Sequence, residues 1–141
     1  MAVPVWMLLA FAVWTVIVLM VGVGLHRWSR ILTGRAELKS FPGDEPHGPP
    51  FYRRAMRAHA NCIENLPVFA AIVIAAVSSG ARSPLLDGLA VAVVVARILQ
   101  TAVHWSSGAN TAVAIRFSFF AVQLAAFLWM AAEVALHALR T

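Results

Sequence analysis

The sequence predicts an all-α integral membrane protein, an up-down bundle of four transmembrane helices in a single domain over residues 1–141. Three observations lead there. Of the 141 residues, 61% are hydrophobic and 12% charged, against about 45–50% and about 25% in ordinary soluble domains. Four apolar stretches are each long enough to cross a hydrocarbon core of about 30 Å. Seven of the eleven Lys and Arg residues, Arg27, Arg30, Arg35, Lys39, Arg53, Arg54 and Arg57, crowd around the first polar segment. That clustering follows the positive-inside rule and makes the first loop cytoplasmic, with both termini outside. It also argues against nucleic acid as the partner behind the net charge of +5, since a nucleic-acid module needs a soluble basic face. A single cysteine, Cys62, rules out an intramolecular disulfide.

The first span is placed at about 5–25, a run without an ionisable residue. Trp6 and Trp28 stand roughly 33 Å apart along a helix, one for each interface. A signal peptide does not fit, because the N-terminal residues carry no basic side chain and no small-residue cleavage site follows the apolar run. Residues 26–53 read as a polar loop, and its centre at 41–50, with four prolines and two glycines, is expected to be non-helical. The second span is placed at about 54–77, with Pro67 as a kink. Ser83 is a capping residue and Pro84 a first helical residue for a third span at about 85–105. A tight turn at 106–110 leads to the fourth, at about 111–139.

Ionisable groups inside spans are costly and each needs a partner or a polar cavity. In the second span Arg54, Arg57, Asn61 and Glu64 fall within an arc of about 80°. Arg97, Gln100, Thr101 and His104 share about 100° of the third, and Arg116 with Gln123 begins a stripe on the fourth. The alternating topology gathers these faces at one level. Four arginines against one carboxylate leave surplus positive charge, suited to an anionic ligand held by charge-assisted hydrogen bonds. The residues alone leave a second reading open, in which the arginines snorkel to headgroups and Glu64 neutralises Arg57 or Arg97. Cys62 lies off the polar stripe and reads as a packing residue. The histidines have no metal-like spacing, so no metal site is expected.

The stretch from Arg54 to Phe69, RAMRAHANCIENLPVF, resembles the second-helix motif R-x-x-R-A-x-x-N-x-x-E-x-x-P-x-F of the MAPEG family, the membrane-associated proteins in eicosanoid and glutathione metabolism. The resemblance implies a homotrimer of four-helix subunits. Glutathione would bind between neighbouring subunits near the cytoplasmic face, and a small lipophilic substrate would arrive through the membrane lipids. By motif position, Arg57, Asn61 and Glu64 are implied to hold glutathione, with Arg54 supporting them and Arg97 lining the same site. Arg116 resembles the arginine that stabilises the thiolate in catalytic members, where a neighbouring cation favours the ionised nucleophile. Gln100 and His104 occupy the third-helix positions where such members offer tyrosines. The family also contains a non-catalytic lipid-binding protein, so the resemblance admits a glutathione-dependent transferase or peroxidase and, alternatively, a lipid-binding or scaffolding protein.

Overall fold

The computed structural model describes residues 2–42 and 47–140. It contains four helices long and apolar enough to cross a membrane: α1 (Val3–Leu32), α2 (Pro50–Ser79), α3 (Pro84–Ser106) and α4 (Asn110–Ala138). Among the described residues there is no strand, only a short 3-10 turn at Leu38–Ser40. The outward faces are apolar: Met20 is 63% exposed and Leu128 74%. Such a surface is stable only against lipid or further protein, and the chain is a multi-pass membrane protein.

The loop expected over 26–53 is shorter than its polarity indicates, because residues 26–32 and 50–53 are helical. Polar side chains do not stop a helix once it has left the hydrocarbon. Pro50, assigned to the non-helical centre of that loop, instead opens α2, at the first helical position where a missing N–H costs nothing. Residues 43–46, within that proline-rich centre, lie outside the described residues. α1 is not regular either. It changes to π-helical geometry over Val18–Gly24 before resuming at Leu25–Leu32. Within that segment a Cβ on Gly22 would lie 3.0 Å from Ala55 Cβ and 3.3 Å from the Trp105 ring, so glycine permits the close approach of α1 to α2 and α3.

Local chemistry sets the remaining boundaries. Gly80, at φ 72°, takes the left-handed position that ends α2. The Ser83 hydroxyl accepts from the Leu86 amide at 3.0 Å, capping α3 directly before Pro84. α2 continues through Pro67, which removes the helical donor to the carbonyl of Ile63.

α3 packs against α1, α2 and α4, and α2 also touches α1 and α4. The apolar core is a line of rings across three helices: Phe11 lies 5.8 Å from Phe69, and Phe69 lies 5.9 Å from Phe127. Met130, Val73 and Val93 close around them. Phe11 has a second neighbour, since the Arg97 guanidinium stands 5.4 Å from its ring centroid. The apolar core therefore ends where a polar one begins.

Candidate functional site

The polar centre is built on α3. Arg97, Gln100, Thr101 and His104 are all buried, because the arc they share faces into the bundle. Arg97 donates through Nη1 to Gln100 Oε1 at 2.8 Å. The same oxygen accepts from Gln123 Nε2 on α4 at 3.2 Å. Gln100 Nε2 then donates to the carbonyl of Arg116 at 3.0 Å. Thr101 receives the indole N–H of Trp14 at 3.3 Å and donates to the Arg97 carbonyl at 3.0 Å. α1, α3 and α4 thus each contribute a polar group to this centre.

His104 is the hub toward α2 and α4. Arg116 Nη1 lies 2.8 Å from His104 Nδ1, and the side-chain amide of Asn61 lies 3.3 Å from Nε2. A guanidinium has donors only, so Nδ1 accepts and a neutral ring carries its proton on Nε2. Asn61 satisfies that proton when its amide oxygen faces the ring, an orientation equal in shape to the reverse. Arg54 reaches past the same ring, donating to the backbone carbonyls of His104 at 2.9 Å and Trp105 at 3.4 Å. It thereby supplies donors to the C-terminal end of α3, whose last carbonyls lack helical partners.

The expected single stripe on α2 divides in two. Arg54 and Asn61 are half-buried and turn toward α3, whereas Arg57 and Glu64 are exposed on the surface of the chain. At 100° per residue, the buried face defined by Ala58, Cys62, Asn65 and Phe69 is adjacent to Arg54 and Asn61, with Arg57 and Glu64 about 60–80° further round. The stripe therefore straddles the edge of the helix contact. Among the described residues no ion pair joins Glu64 to Arg57 or Arg97. Cys62 is fully buried in the apolar core.

Two features of the centre are unsatisfied. Arg97 is 1% exposed, yet among the described residues its Nε and Nη2 have no hydrogen-bond partner, and Gln123 Oε1 is likewise unpaired. A buried cation with two idle donors carries a desolvation cost that the fold of one chain does not offset. Arg116 is only half-buried, and among the described residues its side chain is engaged through Nη1 alone. Its other donors are available to an anion. No group of three or more His, Cys, Asp or Glu among the described residues is arranged to hold a metal ion.

A second polar cluster, which spacing did not reveal, lies where α1 and α2 meet the first loop. The phenol of Tyr52, fully buried, accepts from Arg27 Nε at 2.6 Å. The His26 ring stacks on Tyr52 at 4.4 Å, with Phe41 and His47 edge-on at 6.5 and 5.4 Å. Its members come from three separate segments, so no local pattern marks it.

Comparison with known proteins gives one match. The model of the MAPEG family matches residues 3–136, nearly the whole chain and every element of the polar centre. No curated protein and no solved structure matches.

Proposed function

The chain belongs to the MAPEG family, and from that membership and the arginine cluster around His104 we propose that it is a glutathione-dependent membrane transferase or peroxidase acting on a lipophilic electrophile. The observation that carries the reading is Arg116, a half-buried cation held by one nitrogen on His104 with its remaining donors uncommitted. A cation so placed favours the ionised form of a thiol beside it. The donor set fits a peptide thiol bearing two carboxylates: the cations exceed the available carboxylates, and Arg97 has idle buried donors.

The roles follow from position. Arg57, exposed, clamps a ligand carboxylate, and Glu64, also exposed, receives the amino group. Asn61 contacts the peptide amide at the edge of the cluster. Arg54, committed to α3 carbonyls, supports the wall. Gln100 and His104 have their polar atoms engaged inside the chain, so they hold Arg97 and Arg116 in place from behind. Because Arg57 and Glu64 lie on the surface of one subunit, the site is completed by a neighbour, in a homotrimer with the first loop cytoplasmic and both termini outside. The lipophilic partner reaches it from the bilayer.

The alternative is a non-catalytic lipid-binding or scaffolding protein. It is favoured by the same engagement of Gln100 and His104, which commits both side chains to contacts within the chain. Titration calorimetry of glutathione into the purified protein, followed by conjugation of a generic aryl halide, separates the two. Binding with thiol-dependent conjugation supports the transferase. Absence of both leaves the lipid-binding reading.

A further inference from the structure

We propose that the pocket between the end of α1 and the first loop is a binding site for a phosphoryl group, of the kind carried by an anionic phospholipid headgroup or by free phosphate. The pocket, open toward the surface, has a volume of about 240 Å³, and its lining includes His26, Arg30, Arg35, Ser40, Phe41 and His47. This is below the roughly 300–1,000 Å³ typical of sites for drug-sized molecules, and suits a headgroup rather than a whole lipid.

Its walls are built, not merely charged. Behind the lining, the buried Tyr52 ring stacks on His26, and Arg27, bonded to the Tyr52 phenol, places its guanidinium 5.6 Å from the Phe41 ring centroid. Gly48, which lines the pocket, packs on the same ring: at φ 84°, a Cβ there would lie 2.9 Å from Tyr52 Cδ1. A loop that needed only positive charge to orient the chain would require none of this.

Charge and depth select the ligand. Two arginines and two histidines are in its lining, and the nearby Glu37 is paired with Lys39 at 2.9 Å. Arg30 and Arg35 are exposed, and among the described residues their side chains make no hydrogen bond, so their donors are available. α1 spans 30 residues, about 45 Å, against a hydrocarbon core of about 30 Å. Its last turns therefore stand among headgroups, beside Trp28, which is 55% exposed at the level where indoles anchor. Basic pockets at this depth hold anionic headgroups.

The test is native mass spectrometry of the detergent-solubilised protein with added phosphatidylglycerol, with phosphatidylcholine, whose choline cation cancels its phosphoryl charge and is repelled by the arginines, as the comparison. Wild type is expected to retain phosphatidylglycerol preferentially. The double variant Arg30→Gln/Arg35→Gln is expected to bind it about tenfold more weakly or worse, whereas Arg82→Gln, at the far end of the bundle, leaves it unchanged. Because both arginines are exposed, the double variant should keep the wild-type melting temperature. Displacement of the lipid by millimolar inorganic phosphate assigns the site to the phosphoryl group itself, and resistance to phosphate assigns it to the lipid. Equal retention by wild type and double variant, or no preference over phosphatidylcholine, overturns the proposal. Neither result depends on glutathione binding.

Discussion

Arg97 lays its guanidinium 5.4 Å from the centre of the Phe11 ring and gives just one of its side-chain hydrogen bonds to the chain, to Gln100. The attraction of a cation for a ring face offsets part of its burial, on the order of 2 kcal/mol when desolvated. Two donors stay idle. Replacing a buried, incompletely satisfied charge by an apolar side chain of similar length is often neutral or stabilising, by about 1–4 kcal/mol.

Arg97→Met is therefore expected to retain or raise the melting temperature in detergent, since Gln100 Oε1 still accepts from Gln123. A loss of more than about 3 kcal/mol in the unliganded protein would show that the guanidinium is paired in the assembled molecule.

Removing the hub has the opposite sign. His104→Phe strips Arg116 and Asn61 of their shared partner and should destabilise by about 1–3 kcal/mol, the cost of leaving buried polar groups unpaired. Thermal unfolding of the variant beside wild type measures this directly, and an unchanged melting temperature would mean that water replaces the imidazole.

The two arginines nearest the proposed ligand should separate kinetically. Arg116→Ala is expected to lower turnover by one or more orders of magnitude, about 1.4 kcal/mol or more, with thiol affinity nearly unchanged, because its interaction grows with ionisation. Arg57→Ala should instead weaken thiol binding by about 2–5 kcal/mol, as loss of one partner of a charge pair does. The ultraviolet absorbance of bound thiolate distinguishes them: present near neutral pH in wild type, absent in Arg116→Ala. Equal absorbance in both would remove Arg116 from thiol activation.

Gly22 tests the packing of α1. Gly22→Ala places a methyl group 3.0 Å from Ala55 Cβ and should cost about 1–3 kcal/mol through overpacking. Gly24→Ala, where the nearest atom to a new Cβ is the Leu19 carbonyl oxygen at 3.5 Å, should be neutral or gain up to about 1 kcal/mol of helix propensity. Paired unfolding curves give both values.

Orientation is open to labelling. In a Cys62→Ala background, thiols at the exposed positions Ser40 and Ser78 should react from opposite sides of the membrane, with Ser40 on the cytoplasmic side, as the crowding of basic residues in the first loop requires. Reaction of Ser40 from the outside and Ser78 from the cytoplasm would reverse the topology, and reaction of both from one side would mean that α2 does not cross the membrane.

Much of the protein was legible in its sequence, because the information needed was local. Hydropathy runs of membrane length mark the four helices, Ser83 and Pro84 mark the start of α3, and the motif from Arg54 to Phe69 marks the family. Each depends on neighbours along one chain segment and on the solvent outside it. Local polarity misplaced the loop edges at 26–32 and 50–53, since a helix with internally paired backbone groups continues into water. The face of a helix can also be calculated from 100° per residue, but not which part of that face another helix covers. Tertiary packing decided that Arg54 and Asn61 turn inward while Arg57 and Glu64, on the same stripe, remain outside. It also joined Arg116 to Asn61 through His104 and placed Tyr52 beneath His26. These contacts depend on how closely backbones approach, which Gly22 permits at one point of α1, and on three-dimensional neighbours that no spacing along the chain encodes.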